Sequence, residues 1–527
     1  NIQWTQNQNE LLIVHNKYPP KILCKETNDS WILKDWKISF ATENATQIPF
    51  AKFNNLQNII FSISKLDDDY ILHSNVDIFN QDYVGVHFKI NSGIIRITSV
   101  IDGKNAAITI IKNLENFNPT SSIFEQAFSS IRGYPKAITF YQNRLIIGGS
   151  FALPSRIWMS KIGDYFNFDL GSGLDDEAIE FDILSDKQEI IQTIFSGKHL
   201  QVFTSDSEWV ITSYPMTPAN VQLKKQTEIG SITTRYVPPK FIEGSTMFIA
   251  KNGVEIREFL FGEIEQTYSS FDLAILSKHL MCFPVDQEYD ITKKTLYIPM
   301  KDGSMAVLTL NKDYGLRAWC KWTTDGEFIS VAIVNGKLYS IIKRNEKYFL
   351  EMFNADANSD CSVVIKNADK IERVNVAHLK GKHVYVIEDD AIYPLQQISK
   401  NEYHPQNEDV QNIEIGLPFM HTYAPLPLMF NRNIQPKKVR LISANFRIIN
   451  TKFLSIDTGH GLRNISLDNY NNKDFFENFE KGKAVDIEVK SFGWNKNFTV
   501  PVFKIQSTQP SKVQIISIQC SYLTDSV

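Results

Sequence analysis

Three clusters of acidic residues are the first candidates for chemistry in this 527-residue chain. Two carboxylates placed on either side of a glycosidic bond can hydrolyse it. Neighbouring side chains on a strand point to opposite faces, however, and acids on a loop are usually solvated. We therefore expect structural or solvated roles, and not catalysis, for these clusters, which are residues 67–69, 175–177 and 389–390.

Metal sites and nucleophiles also lack their usual spacing. The ten histidines include no H-E-x-x-H pattern and no pair four residues apart, which favours a hydrogen-bonded or surface role for each. The five cysteines, at positions 24, 282, 320, 361 and 520, form no C-x-x-C pair and are expected to be buried thiols. The G-x-S-x-G elbow, Gly-rich phosphate loops and the 12-residue calcium loop are missing. The residues therefore give no specific signal for a catalytic site or a metal site.

The densest pattern of charged and aromatic residues lies between Arg132 and Asn220. Charges embedded among bulky apolar residues are rarely buried alone, so we expect Arg–Asp pairing that fixes a hairpin. Aromatic side chains at strand spacing are expected in the core between sheet layers. The candidate structural residues are Arg144, Arg156, Trp158, Asp164, Phe166, Phe168, Asp176 and Trp209.

Turn signals between apolar runs recur along the chain and predict β-hairpins. Gly and Asn tolerate the positive φ angles that tight hairpin turns require. Successive hairpins, each burying a sheet face against the next, are typical of a radial array of blades. We predict an all-β fold, an irregular β-propeller with accessory β-domains, and the uneven spacing leaves a large β-sandwich as the competing architecture. The signals are Asp102-Gly103, Asn252-Gly253, Asp302-Gly303 and Asn335-Gly336.

Composition and pattern divide the chain into four predicted regions. Residues 1–24 would supply the first propeller strands, residues 25–130 an inserted small β-domain, and residues 131–400 the propeller. A polar stretch then leads to a C-terminal β-sandwich or platform domain at residues 401–527. One helix is predicted, from Phe271 to Leu280, with Ser269 or Ser270 as its cap. Because the first residue is Asn1 and not Met, we expect residues ahead of it.

Bulk properties exclude several classes of protein. The chain is 43% hydrophobic and 22% charged, as expected of a globular protein. Its net charge of −4 argues against a protein whose main role is to grip nucleic acid, since phosphate binding needs concentrated Lys and Arg. No apolar run approaches the ~20 residues of a membrane-spanning helix.

An ordered set of short motifs resembles the tail nozzle family of short-tailed bacteriophages, also called tail tubular protein B. The set is densest from residue 131 to 225. Its first members are Asn143-Arg144-Leu145, Ser160, Tyr165-Phe166-Asn167-Phe168 and the runs 174–179, 200–212 and 217–221. Later members are Ala318-Trp319, Thr324-Asp325-Gly326, Leu338-Tyr339, the runs 379–382 and 415–418, and Gly493-Trp494.

This resemblance implies a virion structural protein at the distal part of the tail, with no enzyme activity and no cofactor. The implied assembly is a ring of six copies below an adaptor ring protein, next to tail fibres or other tail proteins and facing the host envelope. Genomic DNA would pass through the channel without sequence-specific binding, and the mild acidity of the chain suits a lumen that does not grip phosphate. Two other functions stay open on the residues alone: a polysaccharide-degrading tail enzyme, and a receptor- or carbohydrate-binding module with exposed aromatics.

Overall fold

The computed structural model describes residues 2–26, 30–36, 47–66, 69–389, 391–426, 438–451, 453–465, 484–490, 494 and 501–524. Within these ranges the chain consists of β-strands, loops and single turns of 3-10 helix, with no α-helix. The 3-10 turns are Asn54–Leu56, Gln81–Tyr83, Lys278–Leu280 and Ala377–Leu379. The all-β prediction is confirmed.

The chain divides into two compact units. Unit 1 comprises Asn1–Trp322 and Phe328–Ile341, and unit 2 comprises Thr323–Glu327 and Ile342–Val527.

Unit 1 begins with a four-stranded antiparallel sheet, which we call the first sheet. Its strands follow one another in space in the order in which they occur along the chain. They are β1 (Gln3–Asn7), β2 (Glu10–His15), β3 (Tyr18–Lys25) and β4 (Trp31–Asp35).

A seven-stranded sheet follows, in the order β5-β11-β8-β9-β10-β7-β6. The Asp102 carboxylate accepts hydrogen bonds from the backbone of Lys104 and Asn105, and so closes the predicted hairpin between β9 and β10. The strands are β5 (Phe50–Ala51), β6 (Phe61–Leu66), β7 (Asp69–Ser74), β8 (His87–Ile90), β9 (Gly93–Val100), β10 (Asn105–Lys112) and β11 (Ile123–Gln126).

Four more four-stranded antiparallel meanders complete the series. The first strands of successive sheets contact one another, β1 with β12, β12 with β16 and β20 with β24. Their strands are β12 (Ala137–Tyr141), β13 (Arg144–Gly148), β14 (Arg156–Met159), β15 (Ile179–Asp182), β16 (Ile191–Ser196), β17 (Leu200–Thr204), β18 (Glu208–Ile211), β19 (Leu223–Thr227), β20 (Lys240–Ile242), β21 (Ser245–Ile249), β22 (Ile256–Gly262), β23 (Thr267–Asp272), β24 (Glu288–Asp290), β25 (Thr295–Pro299), β26 (Met305–Asn311) and β27 (Leu316–Trp322). A three-stranded sheet comes next, with β28 (Glu327–Val334), β29 (Lys337–Arg344) and β30 (Lys347–Met352).

The four meanders from β12 to β27 bury both faces of their central strands, which is the packing of propeller blades. In β13, Leu145 and Ile147 join the core that contains Leu12 of the first sheet, whereas Ile146 joins the core that contains Leu200. Alternate residues of a strand point to opposite faces, so one strand serves two cores. The prediction of an irregular β-propeller with accessory β-domains is confirmed.

The same division of one strand between two cores recurs along the series. In β17, Leu200 and Val202 lie in one core, whereas Phe203 lies in the next with Phe248 of β21. Met247, beside Phe248, lies in the core that also contains Leu296 of β25. Runs such as Leu145-Ile146-Ile147 are apolar without interruption for this reason.

Unit 2 contains a five-stranded sheet and a C-terminal sandwich. Two sheets, β38-β43-β40-β41 and β42-β39-β44, share one apolar core and form the predicted C-terminal β-sandwich. The strands of the five-stranded sheet and of a small two-stranded sheet are β31 (Asp360–Ile365), β32 (Val374–Asn375), β33 (His383–Glu388), β34 (Ala391–Ile392), β35 (Gln396–Gln397), β36 (Glu402–Tyr403) and β37 (Ile413–Leu417). Those of the sandwich are β38 (His421–Tyr423), β39 (Val439–Ile449), β40 (Leu454–Asp457), β41 (Leu462–Ile465), β42 (Val485–Lys490), β43 (Lys504–Ser507) and β44 (Gln514–Thr524).

The region boundaries differ from the prediction. The first sheet does not end at residue 24, because β4 pairs with β3 as far as Asp35 opposite Lys21. The sequence from residue 131 to 400 does not belong to the propeller throughout, because β31 pairs with β37 across the predicted boundary. The polar stretch around residue 400 is a connection inside this domain.

The predicted helix from Phe271 to Leu280 is wrong. Phe271 and Asp272 finish strand β23, where they lie opposite Glu258 and Arg257. The chain then turns, because the Asp272 carboxylate accepts a hydrogen bond from the backbone N–H of Ala274 at 2.9 Å. The peptide oxygen of Leu273 accepts from the Trp319 indole, so tertiary contacts override the helical spacing.

Candidate functional site

The hairpin of β12 and β13 places Arg144, the first of the predicted structural residues. Gln142 and Asn143 have φ angles of 45° and 58°, which gives the tight turn required between the two strands. The Arg144 side chain is fully buried and donates to three peptide oxygens, those of Ser160 at 2.7 Å, Glu177 at 2.6 Å and Asp175 at 2.8 Å. The expected carboxylate partner of Arg144 is therefore wrong: its partners are main-chain carbonyls. We call this arrangement the Arg144 cradle.

The acidic triplet 175–177 serves the same loop. Glu177 accepts hydrogen bonds from the backbone N–H groups of Ser172 and Leu174, chiefly the latter, and these lower the pKa of its carboxyl. Asp176 forms an ion pair with Lys161 at 3.0 Å, and this contact lowers the pKa of Asp176. The carboxylates hold local structure, while the peptide oxygens of the triplet face Arg144.

The other two acidic clusters extend beyond the described residues. Asp67, Asp68 and Asp390 lie outside them. Asp389 accepts hydrogen bonds from the backbone and side chain of Asn412, which lower the pKa of its carboxyl. Asp389 therefore stabilises a loop of unit 2. Gly493 of the motif set also lies outside the described residues.

An Arg–Asp pair does join two strands of the sheet β12–β15, but its aspartate was not among the predicted residues. Arg156 on β14 donates through Nε and Nη2 to the two carboxylate oxygens of Asp182 on β15, at 3.0 and 2.5 Å. The two residues are directly opposite each other in the strand register. The side chain of Asp164 has no ion pair with either arginine among the described residues; its backbone bridges to Lys161.

The aromatic members of the set lie where the core was expected. Trp158 is 1% exposed and meets Phe128 edge to face at 4.7 Å. Phe168 is buried in the same core, and Phe166 packs against it with an edge contact to Trp36 at 5.7 Å. These contacts join the meander β12–β15, which we call the second blade, to neighbouring parts of unit 1; the meander β16–β19 is the third blade.

Trp209 leads to a buried carboxylate that the sequence did not reveal. Its indole Nε1 donates to Glu189 Oε2 at 2.9 Å, and the hydroxyls of Thr204 and Ser207 donate to the same oxygen. Burial alone would raise the pKa of Glu189, but these hydrogen bonds outweigh it and hold the pKa below its ordinary value. Glu189 therefore stays charged inside the third blade.

Glu208 is the second buried carboxylate of this blade. It is fully buried, and its Oε2 accepts from Thr227 Oγ1 and from the backbone N–H of Ile229. Burial raises its pKa to about 7, with a smaller contribution from the charge of Glu189. The signal in the sequence for this buried carboxylate was a charged residue directly before the apolar run Trp209-Val210-Ile211.

A third polar group, which we call the polar centre, joins the first strands of neighbouring blades. Gln3 of β1 donates to the peptide oxygen of Gln192 in β16 at 2.6 Å and accepts from Thr193 at 3.2 Å. Lys136, just before β12, donates to Gln192 Oε1 at 2.5 Å. Burial lowers the pKa of Lys136 to about 8. Beside these residues lies a cavity of about 20 Å³, room for roughly one water molecule.

None of these clusters has the donor set of a metal centre. Among the described residues, no three His, Cys, Asp or Glu side chains come together to hold a metal ion. In the same part of the chain, no helix is long and apolar enough to cross a membrane.

Comparisons with known proteins give only distant similarities. No protein-family model and no curated protein matches the chain. Among solved structures, Chaetomium thermophilum Raptor is 13% identical with a TM-score of 0.28, over 53% of this chain and 27% of Raptor.

Two further similarities are to propeller domains. The Neurospora crassa Pan2 WD40 domain is 10% identical over 66% of this chain and 87% of that domain, with a TM-score of 0.28. The Myceliophteria thermophila Cps50 (Swd1) β-propeller domain is 8% identical, over 58% of this chain and 90% of that domain, with a TM-score of 0.29. At these scores the similarity carries no argument, and the propeller assignment rests on the strand order and the successive cores.

Proposed function

We propose that this chain is a virion structural protein, a subunit of the ring that forms the tail nozzle and DNA ejection channel of a short-tailed bacteriophage. The Arg144 cradle carries the proposal. Arg144, Ser160 and the triplet 175–177 belong to the motif set that resembles the nozzle family, and their polar groups hold one another inside a blade. Residues used in this way define the shape of a subunit.

The free face of the first sheet supports assembly with other chains. Leu12 and Ile22 point inward and are buried, whereas Trp4, Trp31 and Leu33 point to the other face and are 58%, 63% and 58% exposed. Contiguous exposed apolar side chains mark interaction surfaces. In the proposed ring of about six copies, a neighbouring subunit covers this face.

The charge of the chain suits a conduit for DNA. We expect a lumen that is neutral to acidic, in keeping with the net charge of −4, along which a duplex slides without sequence-specific binding. The adaptor ring protein above, the tail fibres or other tail proteins beside it and the host envelope below are the remaining proposed partners. The proposed location is the distal part of the virion tail.

Two measurements test the proposal. Mass photometry of the purified chain, alone and with the adaptor ring protein, is expected to show a particle of about six subunits. Proteomics of purified virions is expected to find the chain at about half a dozen copies per particle. A chain that stays monomeric with the adaptor and is missing from virions would contradict the proposal.

One observation favours a second candidate, a carbohydrate-binding module. A groove on the free face of the first sheet is lined by the exposed Trp31, by Leu11 and Leu23, and by the polar side chains of Gln6 and Glu10. An exposed indole beside amide and carboxylate groups is suited to stack on a sugar ring and hydrogen-bond its hydroxyls. The substitution Trp31→Ala separates the two functions: loss of glycan binding with intact assembly would favour this candidate, and loss of assembly would favour the ring.

A further inference from the structure

Lys136 is a cation at the polar centre without a carboxylate partner. Its Nζ donates to Gln192 Oε1 at 2.5 Å, and no carboxylate of the described residues lies within 4.0 Å of it. An ammonium group taken out of water without a counter-charge is unfavourable. Burial accordingly lowers the pKa of this lysine.

The cavity beside Lys136 presents further groups that suit an anion. Ser231 Oγ is buried and has no hydrogen-bond partner among the described residues, although a hydroxyl can donate. Arg235, an exposed residue, also lines the cavity and forms no ion pair with a described residue. Lys136, Arg235 and Ser231 are therefore among the residues that line one small space.

Asp286, an acidic side chain of this region, is already engaged elsewhere. Asp286 raises the pKa of Tyr236, which lines the cavity, although burial of that tyrosine is the larger cause. Its carboxylate accepts hydrogen bonds from Ser330 Oγ at 2.5 Å and from the backbone N–H of Val331 at 3.1 Å. Asp286 is not among the residues that line the cavity.

We propose that this cavity binds one small inorganic anion of the size of chloride. Lys136 Nζ and Ser231 Oγ donate to the anion, and Arg235 adds positive charge at the same space. The space of about 20 Å³ that is open to a water-sized species matches one small ion. Because Lys136 also bonds to Gln192, and Gln192 to Gln3, the anion stabilises the contact between the first strands of three blades.

Thermal unfolding of the full chain in sodium chloride and in sodium gluconate, at equal ionic strength, tests the proposal. A ligand that binds only the folded state raises its stability with concentration, so we expect Tm to rise by about 1–3 °C in chloride. Lys136→Met should abolish the difference between the two salts. The matched control Lys224→Met removes an exposed lysine and should keep it.

Two further results keep the test decisive if Lys136→Met fails to fold. Ser231→Ala retains the lysine and should weaken the chloride effect several-fold. Crystals of the wild-type chain grown in bromide should show an anomalous peak within contact distance of Lys136 Nζ. The same Tm in both salts, stabilisation by phosphate but not by chloride, or a cavity without a bromide peak would each overturn the proposal.

Discussion

At the scale of single residues, the Arg144 cradle is the feature on which the second blade depends. The buried guanidinium has no carboxylate partner, because three peptide oxygens accept its hydrogen bonds. These bonds fix the loop 160–177 against β13. The sequence predicted an Arg–Asp pair for such an embedded charge. It could not show the partners, because main-chain oxygens carry no signal in the sequence.

We expect Arg144→Met to lower the free energy of unfolding by about 2–4 kcal/mol, since it removes the donor from three peptide oxygens that are buried or part-buried. Urea denaturation followed by tryptophan fluorescence measures the change. The matched control is Arg447→Met, which removes an exposed arginine paired with Asp486 and should change the midpoint little. Equal shifts in the two variants would contradict the role given to the cradle.

Glu189 and Glu208 show how two buried carboxyls of one blade differ. Hydrogen bonds keep Glu189 charged, whereas burial raises the pKa of Glu208 to about 7. The sequence marked Trp209 but not Glu189, which lies twenty positions away and reaches the indole only through the fold.

The Glu208 carboxyl gives a pH dependence of stability with a definite sign. Its pKa is raised above the ordinary 4.5, so the folded state binds the proton more tightly. The resulting stabilisation is present below about pH 4.5 and is lost as pH rises through about 7. Glu208→Gln, which is neutral at every pH, should therefore be more stable than the wild type at pH 8, on the order of 1–3 kcal/mol, and similar at pH 5.

Chemical denaturation at pH 5, 6, 7 and 8 checks this expectation. Glu189→Gln is the control with the opposite sign, because its charged form is the one stabilised in the folded state, so the variant should be less stable at pH 7. A wild type that loses no stability relative to Glu208→Gln between pH 5 and 8 would refute the interpretation.

At the scale of elements, turn chemistry was the strongest guide. Asn335 and Gly336 have φ angles of 51° and 70° between β28 and β29, as the Asn-Gly signal predicted. Periodicity was a weaker guide: residues 271–280 have helical spacing, yet Phe271 pairs in β23 and Leu273 binds the Trp319 indole. Spacing cannot report a partner strand that is distant in the sequence.

Gly230 lies where the backbone after β19 passes the turn between β17 and β18. Its φ is +73°, and an added Cβ would lie 2.4 Å from the peptide oxygen of Ser205. Gly336 has nearly the same φ, +70°, with nothing within 4 Å of an added Cβ. The two glycines therefore differ in packing and not in backbone conformation.

We expect Gly336→Ala to lower the free energy of unfolding by about 1–2 kcal/mol, because alanine is strained in the left-handed conformation. Gly230→Ala has the same strain and also requires the backbone near Ser205 to shift. We therefore expect it to lower the free energy of unfolding by at least about 2 kcal/mol more than Gly336→Ala does. Urea denaturation of both variants gives the difference. Equal losses would show that the close approach at Gly230 does not restrict the chain.

At the scale of the whole molecule, the sequence predicted the fold class more accurately than the domain boundaries. Recurring hairpins were enough for an all-β propeller and a C-terminal sandwich. The limits of the domains were not predictable, because the pairing of β4 with β3 and of β31 with β37 depends on strands that composition does not connect.

The free face of the first sheet gives a prediction at this scale. Replacing Trp4 and Leu33 together by Ser removes apolar area that the fold leaves exposed, so folding should be retained while assembly weakens at least about tenfold. Sedimentation equilibrium measures the association. The control replaces Tyr314 and Leu276, exposed side chains elsewhere in unit 1, and should assemble like the wild type.

Cryo-electron microscopy of the tail of the virion that encodes this chain tests the central proposal most directly. The proposed function predicts a symmetric ring of about six propellers at the distal end of the tail, around a channel wide enough for duplex DNA. A tail whose distal ring is built from a different protein, with this chain missing from the particle, would contradict it.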